Sequence, residues 1–178
     1  MSTGALLSAP LIGSLLTSCE TQVKKPSSNY KSVFFDENEF ELLYELVDLI
    51  LPKTDSPSGT EMGVDQMIDK ILAEVYSSKD QKEYLQRYKM LEEYLIKTMN
   101  FGKQDDASKL EILKSLSKSD SSDLEWERKA FLEIRQQSIA YYLTTEEISK
   151  NYLNYLPIPG DYEACISVQD VDNKAWAL

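Results

Sequence analysis

"FFDENEFELLYELVDLILP", residues 34–52, decides the class of the fold. Within it Asp36 and Glu39 stand three residues apart, the spacing at which each side chain can bond the other's backbone N–H in a capping box. Phe35 before the cap and Phe40 after it occupy the positions of a hydrophobic staple. Phe40, Leu43, Tyr44, Val47 and Ile50 then recur at helical spacing on one face. Pro52 has no N–H to donate to the preceding turn, so the helix ends ahead of it. Start, face and stop agree on a single amphipathic helix.

The same period continues downstream. "KTDSPSGTEMG" (53–63) is dense in turn formers and reads as a loop. "VDQMIDKILAEVY" (64–76) then places Val64, Met67, Ile68, Ile71, Leu72 and Val75 on one stripe. A third helix is predicted from about Lys79 to Met99, with Leu85, Tyr88, Leu91 and Leu95 inward, and "NFGK" ends it near Gly102. A shorter helix carries Leu110, Leu113 and Leu116. Past the serine-rich break at 117–122, "DLEWERKAFLEIRQQSIAYYL" (123–143) predicts another long helix. Thr144 and Glu147 have capping-box spacing and open a brief last one. No segment alternates as a strand would. The expected fold is all-α, a compact helical domain of about five to six helices with an extended C-terminal tail from about residue 153.

That tail, ending in "YLPIPGDYEACISVQDVDNKAWAL" (155–178), has no helical period. Pro157 and Pro159 keep the chain extended and restrict the residues before them, while Gly160 permits a turn. Rich in aromatics, it can fold back over its own helices or lie across a partner.

Composition bounds the chemistry. The 178 residues suit one domain, and 42% hydrophobic residues are enough for a core. Net charge is −11 and the basic doublets at 24–25 and 128–129 are too small to form a patch, which argues against nucleic acid as a partner. Histidine is absent, removing the commonest general base and metal ligand. Cys19 and Cys165 are too far apart for a zinc or CxxC spacing, and no phosphate-cradling or nucleophile-elbow motif occurs. An enzyme built on carboxylates alone, such as the pair Asp48 and Asp55, is the remaining catalytic alternative.

"ALLSAPLIGSLLTSC" (5–19) is apolar and uncharged, too short for the roughly 20 residues of a membrane span but right for the core of an export signal. Leu16-Thr17-Ser18-Cys19 resembles a lipobox, in which the cysteine becomes the lipidated N-terminus of the mature chain. A packed N-terminal helix and an uncleaved anchor are the alternatives. The basic segment that should open such a signal is not in residues 1–4, and it is expected upstream. The expected organisation is a signal at 1–19, a polar tether at 20–33 and the helical domain at 34–178.

Six stretches carry a further signal: "DLILPKTDSPSG" (48–59), "GVDQMID" (63–69), "FGK" (101–103), "YLTTEEI" (142–148), "YLPIPGDYEAC" (155–165) and "KAWAL" (174–178). In this order the chain resembles the gluconate 2-dehydrogenase subunit 3 family. The resemblance implies a non-catalytic small subunit, without cofactor of its own, of a membrane-associated dehydrogenase. Its expected partner is a large FAD-dependent flavoprotein of the glucose-methanol-choline type that oxidises sugars, sugar acids or polyols. A cytochrome c subunit or domain is an expected electron acceptor, and twin-arginine export an expected route, though no arginine pair stands near the start. With the lipid anchor at Cys19, this places the chain in the bacterial cell envelope, on the periplasmic side. The tail residues Tyr155, Pro157, Pro159, Gly160, Tyr162 and Trp176 are the expected partner interface. Cys165, the thiol left over, is expected either to bridge to the flavoprotein or to pack as a small buried hydrophobe. A free-standing envelope lipoprotein that binds a ligand or cell-wall component is the other functional class the sequence allows.

Overall fold

The capping box forms as the sequence spells it. In the computed structural model, which describes residues 30–156, 158, 160 and 165–177, the Asp36 side chain accepts from the Glu39 N–H at 2.9 Å and Glu39 from the Asp36 N–H at 2.9 Å. It opens α1, Glu37–Ile50. Five helices follow: α2 Val64–Glu74, α3 Ser78–Glu93, α4 Asp106–Lys118, α5 Glu125–Thr144 and α6 Glu146–Asn151. Among the described residues there is no strand, only an isolated bridge between Asn154 and Trp176. No described helix is long and apolar enough to cross a membrane.

The helix α5 is the axis of the bundle, packing against α1, α2, α3, α4 and α6. It buries Ala130, Phe131, Ile134, Ser138 and Tyr142, one helical stripe. Ser138 satisfies its hydroxyl by donating to the Ile134 carbonyl one turn back. Against that stripe lie Leu43, Leu46 and Val47 of α1, Ile68 and Leu72 of α2, and Tyr88 and Leu91 of α3, all without solvent exposure. Tyr88 keeps its ring in the core because its hydroxyl reaches the Glu39 carbonyl at 2.7 Å. Tyr84 does the same through Gln137, whose amide in turn donates to the Tyr76 hydroxyl at 3.0 Å.

The packed body reaches back to Tyr30. Asp69 of α2, fully buried, accepts from the Tyr30 hydroxyl at 2.7 Å and from the N–H groups of Val33, Phe34 and Phe35 at 2.7, 3.0 and 3.0 Å. Burial and the Asp69 carboxylate together push the Tyr30 hydroxyl well above its ordinary range. A second buried ion links α4 to α1: Lys109, 4% exposed, pairs with Glu45 and lies 5.5 Å from the centre of the Phe101 ring.

Three expectations are corrected. The third helix reaches Met99 but does not stay α-helical to its end. Its α-helical part stops at Glu93, and Tyr94–Thr98 form a wider turn closed by the Met99 N–H on the Tyr94 carbonyl. That turn ends at Asn100 in the left-handed region, which asparagine tolerates better than most residues. Val75, placed on the buried stripe of α2, is 72% exposed because it is the C-cap, where the helical register ends. The capping box of Thr144 and Glu147 does not form. Thr144 is the last residue of α5, and its hydroxyl turns back to the Tyr141 carbonyl while Thr145 turns back to Tyr142. The N-cap of α6 is Thr145, with no side-chain bond to that helix.

Gly59 sits where a side chain has no room: an added Cβ would lie 2.9 Å from Val47 Cγ1 and 3.1 Å from Leu51 Cβ. Gly59→Ala is therefore expected to lower stability by about 1–3 kcal/mol, as overpacking does, read as an earlier midpoint in urea. An unchanged midpoint would show that the loop slides aside.

Candidate functional site

Where α1 ends, α2 begins and α5 ends, two segments without helix meet. The first is the loop 51–63. The Leu51 carbonyl accepts the Gly59 N–H at 2.9 Å and the Gly59 carbonyl accepts the Val64 N–H at 3.0 Å, which closes it. Ser58 and Glu61 bond each other's N–H groups at 2.9 and 3.2 Å. Gly63 supplies the left-handed turn, φ 70°, that feeds α2. The Lys53 ammonium, 2.6 Å from Glu61, is the first cause holding that carboxyl below its usual range. Tyr142, at the end of α5, donates its hydroxyl to the Pro57 carbonyl at 2.7 Å. Tyr152 reaches the Asp55 carbonyl at 3.1 Å. One tyrosine thus pins the loop to the end of α5 and the other to the start of the tail.

The second segment is the tail, and one asparagine shapes it. Asn154 donates its backbone N–H to the Ala175 carbonyl at 2.8 Å and accepts the Ala177 N–H at 2.9 Å. Its side-chain amide donates to the carbonyls of Val171 and Lys174 at 3.0 and 2.8 Å. The chain from 154 to 177 is thereby closed into a loop, with a short 3₁₀ turn at Gln169–Val171 before the return. The described end of the tail, residues 171–177, returns to bond its own base.

This arrangement leaves apolar side chains in water. Of the eleven large hydrophobic residues most exposed among the described residues, six lie on the tail: Tyr155, Leu156, Ile158, Ile166, Val168 and Trp176. Ile158 is 81% exposed. The bridge between Asn154 and Trp176 sets Trp176 beside the base from which Tyr155 departs. Exposed apolar residues gathered in one place mark an interaction surface, whereas scattered ones do not.

Of the residues expected from sequence, Tyr155 and Trp176 are half exposed on this tail and Gly160 is exposed. Cys165 is exposed with a free thiol, so it is not the buried packing residue that was the alternative. Pro157, Pro159 and Tyr162 lie outside the described residues, as does Cys19. Sequence reasoning missed Asn154, Leu156, Ile158, Ile166 and Val168. Large aliphatics recurring in a segment with no helical period were the available signal, and a side-chain amide able to bond backbone carbonyls was a second.

The carboxylates Asp48 and Asp55 do not share a recess. Asp48 accepts from Thr60 Oγ1 at 3.0 Å and lines a hollow with Tyr44 and Asp106, while Asp55 faces another hollow with Pro57 and Tyr152. Among the described residues no group of three or more Cys, Asp or Glu is gathered as a metal site.

Residues 37–160 match the family described as gluconate 2-dehydrogenase subunit 3, well over half of the chain. The chain belongs to the gluconate 2-dehydrogenase subunit 3 family. Membership makes it an accessory subunit of a dehydrogenase complex. The matched span of this subunit 3 chain includes Asp69, though not the segment 30–35 that clamps onto it, together with the pinned loop and the base of the tail, and it stops before Cys165 and Trp176. No curated protein and no solved structure is significantly similar to it.

Proposed function

We propose that this subunit 3 chain is the non-catalytic small subunit of a membrane-associated, FAD-dependent dehydrogenase of the glucose-methanol-choline type acting on a sugar, sugar acid or polyol. It binds the flavoprotein subunit through the tail, supports that subunit's maturation and export, and anchors the pair on the periplasmic side of the envelope through a lipidated Cys19. The FAD belongs to the partner, and a cytochrome c receives the electrons. The observation that carries this reading is the run of exposed apolar residues on a tail closed by Asn154, in a chain whose family is that of an accessory subunit. Backbone already tied at Asn154 has less freedom to lose on docking, which favours a stable contact. On this reading Cys165, an exposed thiol on the same tail, bridges to the flavoprotein.

Coexpression with a large FAD-binding dehydrogenase subunit tests it. The two should copurify, and the double variant Ile158→Asp with Trp176→Ala should lower recovered complex by at least about tenfold, as loss of an interface anchor does. The isolated variant should keep its helical circular dichroism, and sugar oxidation should follow the amount of complex with KM unchanged. Electrophoresis of the complex without reductant reads the Cys165 bridge, and the mass of the mature subunit reads lipidation at Cys19. Full recovery of complex by the double variant would overturn the interface. A flavoprotein that matures fully without this chain would favour the free-standing envelope lipoprotein instead.

A further inference from the structure

We propose that the groove between α1, α4 and α5 is a binding site for a medium-chain aliphatic carboxylate. Its walls are Leu49 of α1, Leu110 and Leu113 of α4, and Phe131 and Ile139 of α5, with Lys114 and Arg135 beside them. The groove lies on different residues from the loop-and-tail surface, so it stands or falls apart from the docking reading.

Charge selects the occupant. Acidic residues outnumber basic ones by 30 to 19 in this chain, yet no Asp or Glu lines the groove and two cations do. Lys114 is shared with Glu111, 2.8 Å away on the exposed face of α4. Arg135, on α5, makes no ion pair among the described residues. A guanidinium presents a planar fork that fits a carboxylate with two parallel hydrogen bonds. An apolar trough beside an unengaged guanidinium thus matches a molecule with an alkyl chain at one end and a carboxylate at the other. A neutral apolar ligand would leave the cation unused.

Size limits the chain length. The groove has a volume of about 240 Å³, smaller than the ~300–1,000 Å³ of sites for drug-sized ligands. At the ~30 Å³ that a water takes in the liquid, it holds about eight heavy atoms, the carbons of such a ligand with its two oxygens at the rim beside Arg135. Affinity should therefore rise by about fourfold for each added methylene, the ratio that burial of one methylene implies, and level off near eight carbons.

The whole chain, labelled with ¹⁵N, is titrated with hexanoate, octanoate, decanoate and octanol. Octanoate should shift the amides of Leu110, Leu113, Phe131 and Ile139, and octanol should bind at least about tenfold more weakly, the usual scale of a charge-assisted bond. Arg135→Gln should reduce octanoate to the level of octanol, and its melting temperature should stay the same because the side chain is exposed and without an ion pair. Equal binding of octanoate and octanol would overturn the proposal. So would shifts outside the groove, or affinity that climbs unchecked from octanoate to decanoate.

Discussion

Asp69→Ala is expected to destabilise the fold by about 3–4 kcal/mol, since buried donors stripped of their acceptor cost about 1–3 kcal/mol each. Four donors converge on this carboxylate: one hydroxyl and three consecutive backbone N–H groups. Water can reach the exposed Val33 after the substitution, but Phe35 is 4% exposed and its N–H has no replacement partner. Asp69→Asn keeps one carbonyl oxygen for two of the donors and turns an NH₂ toward the others, so about half the loss is expected. Urea unfolding measures the midpoint and slope, and hydrogen exchange at residues 33–35 shows whether the leading segment has let go. A loss below about 1 kcal/mol with those amides still protected would mean that packing of Phe35 alone holds the segment, since a typical net hydrogen bond is of that size.

The second large effect depends on pH. Asp65 stands one turn before Asp69 on α2, is 1% exposed, and has one carboxyl oxygen without a hydrogen-bond partner. Burial raises its pKa from 3.8 to about 6, and the Asp69 charge adds to this, while the N–H groups of Gln66 and of Asp65 itself oppose it. The folded state therefore keeps a proton that the unfolded chain releases about two pH units lower. Stability falls wherever the folded state holds more protons. The contribution of this group is full below pH 3.8 and lost as pH rises through about 6. A gap of that size is worth about 3 kcal/mol. Comparison with Asp65→Asn, neutral at every pH, isolates it. The stability of the natural chain minus that of the variant should fall by about 3 kcal/mol between acid and neutral pH, then stay flat. Urea melts at a series of pH values check this, and a difference independent of pH would show that Asp65 is solvated.

How much of this was legible depended on the range of the interaction. The helix at 37–50 could be read whole because its cap, face and stop are local. The central role of α5 could not, since its buried stripe is recognised only by the five helices around it. Leu85 packs half-buried against the core as expected, but Tyr84 beside it is buried too, because Gln137, 53 residues away, satisfies its hydroxyl. Nothing local marks Lys109 as buried, and only Glu45, 64 residues earlier, makes its burial tolerable. The motif "GVDQMID" was visible as a string, but that its two aspartates turn inward is a fact of packing. The tail was read correctly as lacking a helical period, while its closure rests on Asn154, whose partners lie 17 to 23 residues further on.

The clamp at Asp69 also settles how the domain meets mechanical load. A pull on the chain ahead of Tyr30 enters the fold at α2, not at the first turn of α1, whose capping box lies beyond the clamp. The N–H groups of Val33, Phe34 and Phe35 follow one another along the pulled segment, so their bonds to the one carboxylate are loaded in turn, and all must break before the pull reaches α1. Force applied from that end is handed to the interior of the bundle, and α1 is shielded from unravelling.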